Sequence, residues 1–189
     1  MPDEGTVRLV ARQLGRIPAI YFTVEMNCPN GWPAVLRNSP FDRSGYPNPN
    51  IHYLSCPYLR RHIARLEDEG AIDDLQEWLL HDRELMDDLR RAQKEHSREW
   101  VEAVAAGKGG GASMAFVAAA TASGAGLSGF RIAQARDDAL LKCLHAHYAY
   151  YLIHDNYRLG MMIAGKLERI WCDDNRCAAI AADISNDCD

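Results

Sequence analysis

Beyond Pro57 the chain has no proline, and nowhere does it carry a hydrophobic run long enough to span a bilayer. It has no Cys-x-x-Cys pair, so the paired spacing that marks a zinc ribbon is missing. It also has no Gly-Lys-Ser/Thr string, and the Gly107-Lys108-Gly109-Gly110-Gly111 stretch therefore departs from a phosphate loop. A connector or lid is the better reading of that stretch. Charge of one sign is not in excess either. Against 26 Asp+Glu stand 21 Lys+Arg, for a net charge of −5. That balance argues against a general nucleic-acid binder, which needs a basic surface for phosphates. With 48% hydrophobic and 25% charged residues, the 189-residue chain has the material for a sizeable core.

The N-terminal Met1-Pro2-Asp3-Glu4-Gly5 is acidic where a secretory signal would be basic, and no apolar segment follows. Met114–Ala122, the longest weakly apolar stretch, is too short for a membrane span. A cytoplasmic protein is expected. Six cysteines in a reducing compartment are then not disulfides. Metal ligands, reactive thiols or buried small apolar residues remain.

The spacing predicts one domain with five stretches. Residues 1–57 hold all eight prolines and read as strands and loops after a first helix, Thr6–Leu14, that Gly15 stops. Strands are expected at Ile17–Val24, Pro33–Leu36 and Ile51–Leu54. Helices are expected over 58–106, starting at Pro57, breaking at Gly70 and restarting with Asp82 as a cap. Residues 107–136 form an Ala/Gly-rich connector. Residues 137–171 hold a Cys/His helix, capped by Asp137 or Asp138, and a last helix, and 172–189 are a cysteine-containing acidic tail. The fold class expected is α+β, mainly helical, with a small antiparallel sheet in the Pro-rich part.

Three cysteines stand in places that suit a ligand. Cys28-Pro29 follows the first strand, and Cys56-Pro57 lies where a strand meets a helix. A helix N-terminus favours thiolate, the form that binds soft and borderline metals. Proline after cysteine stiffens the chain leaving the ligand, and Cys-Pro also occurs in iron–sulfur ligand runs. Cys143 is read as lying inside a helix, in Lys142-Cys143-Leu144-His145-Ala146-His147. His147 would then sit four residues on, facing Cys143, while His145 points elsewhere to orient a substrate, serve a second site or cap a buried group. Cys172 and Cys177 have a Cys-x4-Cys spacing that can chelate from a loop. Taken singly, each cysteine also fits a buried apolar role, and His147 a satisfied core histidine. His52 reads as cross-strand packing, and His62, His81, His96 and His154 as solvent-facing.

Several strings taken together resemble the bacterial family catalogued as domain of unknown function 501. They are Arg12-Gln13-Leu14-Gly15-Arg16, Cys28-Pro29 with Gly31 and Pro33, Tyr53-Leu54-Ser55-Cys56-Pro57-Tyr58-Leu59 with Leu66-Glu67 and Gly70, and Lys142 to Ala149. The resemblance runs from about Val7 to Leu152. It implies a cytoplasmic bacterial protein of no established activity, and it marks Cys28, Cys56, Cys143, His145 and His147 as motif positions. Some members carry a late cysteine pair like Cys172 and Cys177. The glycine-rich element of the family is loose here, at Gly126 to Gly129, and its Asn-Pro element is reduced to Asp155-Asn156-Tyr157.

Three functions are expected from this pattern. In the first, Cys28, Cys56 and Cys143 hold an iron–sulfur cluster or zinc with one open position, and a small anionic substrate is gripped by Arg12, Arg16 and Lys142. His147 is then a fourth ligand or a general acid/base, and His145 supports it. In the second, the site is closed by His147 or Cys172 and is structural, and the charged helix from Asp82 binds a protein partner or a second copy. In the third, Cys56 is a metal-free nucleophile with His147 as its base.

Overall fold

The computed structural model describes residues 2–106, 125–127, 129–130 and 141–186. The expected helix cap at Asp137 or Asp138, the glycine stretch 107–111 and Cys188 lie outside them.

Helix α1 (Glu4–Leu14) starts where the Asp3 carboxylate accepts the Thr6 N–H at 2.8 Å, and stops at Gly15 in the left-handed region, φ 71°. Strands β1 (Ile20–Asn27), β2 (Pro33–Asp42) and β3 (His52–Leu54) form an antiparallel sheet in that order. The β1–β2 turn is closed by Cys28 N–H to Trp32 C=O and Gly31 N–H to Cys28 C=O, each 2.8 Å, with Gly31 at φ 83°. A side chain would be strained at that φ, which is why glycine stands there.

The sheet is covered on both faces. Leu36 and Phe22 pack with Val10 and Leu14 of α1. Val35 and Leu54 join the main core with the helices that follow. These are α2 (Pro57–Asp68), α3 (Ala71–His81), α4 (Arg83–Ala106), α5 (Leu144–Ile153), α6 (Arg158–Lys166) and α7 (Arg176–Asn186). Pro57 begins α2 as expected, and Gly70, φ 88°, turns the chain into α3. Asp82 caps α4 through the Leu85 N–H at 2.9 Å. Asp88 of α4 accepts the Arg158 N–H at 2.9 Å and so caps α6 from across the core. A two-residue ladder, β4 (Ala125–Gly126) with β5 (Gly129–Phe130), is held to α4 where Gln93 accepts the Leu127 N–H at 2.9 Å.

The protein is therefore α+β: helices dominate the described residues, with a three-stranded antiparallel sheet in the N-terminal part. Helix α7 goes beyond the sequence reading, in which residues 172–189 were a plain tail. No helix among the described residues is long and apolar enough to cross a membrane.

His96 corrects the expectation that it faces water. It is 1% exposed on the stripe of α4 that carries Leu85, Leu89, Ala92 and Trp100, and its Nε2–H donates to the Pro49 carbonyl at 2.9 Å. Trp100 on the same stripe packs on Ile51 and donates its indole N–H to Asn48 C=O at 2.8 Å. The α4 stripe thus pins the Pro-rich loop between β2 and β3.

Candidate metal centre

Sheet register brings the first two cysteines to one corner. Cys28 opens the β1–β2 turn, and the Ser55 and Cys56 N–H groups both donate to Ala34 C=O, at 2.9 and 3.3 Å. Cys56, the N-cap of α2, is therefore laid beside the start of β2. The C-terminal segment then folds onto the same corner. Trp32 donates its indole N–H to Asn175 Oδ1 at 2.6 Å, and Asn175 sits at φ 44°, a left-handed turn that asparagine tolerates. Tyr58 O–H donates to Arg169 C=O at 3.4 Å, and the Arg176 guanidinium lies 5.1 Å from the Tyr58 ring centre. Gln13 of α1 donates its amide to both Pro33 C=O (3.0 Å) and Cys177 Sγ (3.4 Å).

These links gather Cys28, Cys56, Cys172 and Cys177. The charges of Cys177 and Cys172 act on Cys56, and those of Cys28 and Cys172 act on Cys177. Cys56 and Cys177 are buried, and Cys28 and Cys172 half-buried against the same core. No three of the four sulfurs lie within 4.8 Å of one another. Burial pushes the Cys56 thiol up to about 11, the Leu59 and Tyr58 amides pull it back, and the neighbouring thiols add to the rise. Burial raises Cys177 also. Without a cation the corner thus keeps these thiols neutral, the opposite of what a free nucleophile at Cys56 needs.

Cys143 goes elsewhere. The sequence placed it inside a helix, one turn from His147. In the structure it has extended backbone, φ −159° and ψ 115°, and α5 begins at Leu144. The reason is tertiary: the Glu67 carboxylate of α2 accepts the Leu144 N–H at 2.6 Å and so caps α5 from a neighbouring helix. The i, i+4 pairing with His147 does not form. Cys143 instead meets Glu67 and His145, whose ligand atoms all lie within 4.8 Å of one another. His145 Nδ1 is 3.2 Å from Glu67, and its Nε2 is 3.0 Å from the Arg60 carbonyl, which can only accept. Burial opposes the charge on His145, yet Cys143, that carbonyl and Glu67 outweigh it and raise its pKa to about 9. Cys56 caps the start of α2 and Glu67 lies near its end. The 12 residues of α2 cover about 18 Å, so the Cys143 group and the four-cysteine corner are separate.

His147 belongs to neither group. It is fully buried, with Nδ1 2.7 Å from the Tyr157 hydroxyl. Burial depresses its pKa from 6.5 to about 3. The unfolded chain therefore takes up a proton below about pH 6.5 that the folded chain refuses until about pH 3. Stability held above pH 6.5 is lost as pH falls through that window, at up to about 1.4 kcal/mol per pH unit from this one group. Urea unfolding between pH 7 and 4 should show this slope, and His147→Gln, which cannot titrate, should remove its share and leave that of His96, whose pKa burial lowers to about 4.

The expected anion-gripping cations are split. Arg12 and Arg16 line a groove of about 630 Å³ between α1 and Ile184 of α7. Lys142 is exposed beside Cys143, in the other group. The reading of the residues missed Glu67 as a functional group, although Leu66-Glu67 stood in one of the strings noted above. A carboxylate on a charged helix carries no local sign that it will cap another helix.

The fold and this corner define a class: an α+β protein whose thiols, drawn from both ends of the chain, converge beside a small sheet. Residues 24–164 match the family described as Protein of unknown function (DUF501), and the chain belongs to that family. No curated protein and no solved structure matches it. The matched span holds Cys28, Cys56, Cys143, His145 and His147, while Arg12, Arg16, Cys172 and Cys177 lie outside it.

Proposed function

We propose that this is an iron–sulfur protein whose cluster is held by Cys28, Cys56, Cys172 and Cys177. The observation that carries this reading is the gathering of four thiols at one corner, from the β1–β2 turn, the start of α2 and the segment entering α7, by the Trp32–Asn175, Gln13–Cys177 and Arg176–Tyr58 contacts. Four thiolates around zinc, with bonds of about 2.3 Å, stand about 3.8 Å apart. No three of the four sulfurs lie within 4.8 Å of one another, so a single zinc would need them to draw closer than they stand.

Four protein ligands leave no coordination position open. The cluster then carries electrons or fastens the C-terminal segment, rather than activating a substrate. Arg176, whose charge acts on Cys172 and Cys56, favours the more negative, reduced cluster. The groove with Arg12 and Arg16 lies on the α1–α7 face, and Gln13 joins that face to Cys177. It is the surface that suits an anionic substrate or an acidic redox partner. The setting that goes with such a cluster is a reducing, cytoplasmic one, where its thiolates are kept from forming disulfides.

Anaerobic purification with iron, zinc and acid-labile sulfide analysis tests the reading. The expected protein is brown, with iron and sulfide in equal amounts. A colourless protein with one zinc per chain would replace the cluster with a closed structural zinc. A protein with neither would end the proposal.

A further inference from the structure

A third group of ligating side chains gathers around His52 of β3. His52 of β3 is paired with Arg37 of β2, which is paired with Thr23 of β1. Glu25 stands at the register shift between Val24 and Met26, and its side chain reaches His52. Helix α4 brings Glu99 to this face, and His154, the C-cap of α5, brings a second imidazole. His52 Nδ1 is 2.7 Å from Glu25 Oε2, and its Nε2 is 3.1 Å from Glu99 Oε2. His154 Nε2 is 3.1 Å from Glu99 Oε1. The ligand atoms of His52, Glu99 and His154 all lie within 4.8 Å of one another.

We propose that His52, Glu99 and His154 form a binding site for a divalent transition-metal ion of the zinc, cobalt or iron(II) type, with Glu25 orienting His52. This site is independent of the cysteine centre.

Three observations carry it. The first is spacing. Metal–nitrogen and metal–oxygen bonds of about 2.0–2.1 Å, at right-angled to tetrahedral angles, put neighbouring ligand atoms about 2.9–3.4 Å apart. The His52 Nε2–Glu99 Oε2 and His154 Nε2–Glu99 Oε1 distances, each 3.1 Å, fall in that range for a carboxylate that binds through both oxygens. The second is an unpaired atom. His154 Nε2 is buried and makes no hydrogen bond, despite its closeness to Glu99, because the two are misaligned for one. An imidazolium at His52 bridging Glu25 and Glu99 would satisfy His52 but leave His154 Nε2 unserved. A metal ion serves both nitrogens. The third is support around the ligands. With His52 Nδ1–H donating to the Glu25 carboxylate, Nε2 presents its lone pair, the carboxylate–histidine arrangement found behind metal ligands. Arg37 Nη1 reaches Glu25 at 3.0 Å and Glu99 at 3.4 Å and holds both carboxylates. The Tyr150 ring stacks on His154 at 4.1 Å and fixes its plane.

Two histidines and one carboxylate leave coordination positions for water or a substrate. The site is not sealed: the His154 side chain is 28% exposed, against 1% for His52. Arg37 also lines a surface groove of about 570 Å³, so the carboxylates are one residue from solvent. Here, rather than at the four thiols, is the open centre that Lewis-acid chemistry needs.

The test adds cobalt(II) to the full-length protein. The expected result is one equivalent bound, with the weak visible bands of nitrogen and oxygen donors and no thiolate charge-transfer band. Glu99→Gln and His154→Asn should each lower that affinity at least a hundredfold. Glu25→Gln should lower it about 10–100-fold, as loss of an orienting carboxylate does. Unchanged affinity in Glu99→Gln and His154→Asn would overturn the proposal, as would a thiolate band on the bound ion. A reading free of substitutions comes from ring-nitrogen NMR with zinc. Zinc should shift Nε2 of both His52 and His154 while Nδ1 of His52 stays protonated. Two protonated nitrogens on His52 in excess zinc would leave an imidazolium bridge in place of the site.

Discussion

If the proposed cluster is present, serine at Cys56 is expected to strip the protein of iron, while serine at Cys143 leaves iron content at the wild-type level. The contrast follows from placement. Cys56 caps α2 at the corner shared with Cys172 and Cys177, whereas Cys143 sits near the far end of α2 with Glu67 and His145. Losing the centre should also release the C-terminal segment. Apart from its packing on α1, α7 is tied to the corner by the Trp32–Asn175 and Gln13–Cys177 hydrogen bonds and the Arg176–Tyr58 contact. A structural metal can be worth on the order of 10–16 kcal/mol in a small finger peptide. Here the sheet and α2 to α6 bury a core of their own, so the loss is expected to be local. Hydrogen exchange should show α7 unprotected in Cys56→Ser, Cys172→Ser and Cys177→Ser, with α2 and α4 still protected. Full iron in Cys56→Ser would show that the four thiols hold nothing in common.

Alanine at Gly160 should destabilise the fold by about 3 kcal/mol or more, while alanine at Gly165, five residues on in α6, should be neutral or stabilising by up to about 1 kcal/mol. Intrinsic helix propensity favours alanine at both positions. Packing separates them. A Cβ at Gly160 would overlap the Cβ, Cγ and Cδ2 atoms of Tyr151, and the first two belong to the rigid base of that side chain rather than to a flexible end. At Gly165 a Cβ would meet nothing within 4 Å. Gly160 lets α6 lie directly on α5, beside the fully buried Leu159 and Ile163. Urea denaturation of the two variants gives the comparison. A small loss for Gly160→Ala would mean that α5 and α6 are not in close contact.

Much of the fold was legible residue by residue. Gly15, Pro57, Gly70 and Asp82 each act within a few residues of themselves, through backbone freedom, a missing N–H or a short side-chain cap, and each marks the boundary expected of it. The α4 stripe was nearly legible as well. His96 keeps the helical spacing of Leu85, Leu89, Ala92 and Trp100, so its burial was written in the periodicity and obscured only by its being histidine. Helix α7 was missed because its alanine-rich turn carries weak amphipathicity between acidic residues.

The ligands divide along the same line. Which residues can bind a metal is a property of side-chain chemistry, so the candidates Cys28, Cys56, Cys172 and Cys177 could be named from the amino acids alone. Which of them meet could not. Cys143 left the set because Glu67, from another helix, caps α5 so that it begins at Leu144, just past Cys143. Cys172 and Cys177 joined because Asn175 turns the chain under Trp32. His52, Glu99 and His154 come from a strand, a helix and a helix end that no local spacing connects. Local rules determined the elements and the stock of ligating atoms, since their energies depend on near neighbours in the chain. The pairing of distant segments decided which candidates share a corner, since only packing brings side chains from a turn, a helix start and the C-terminal segment together.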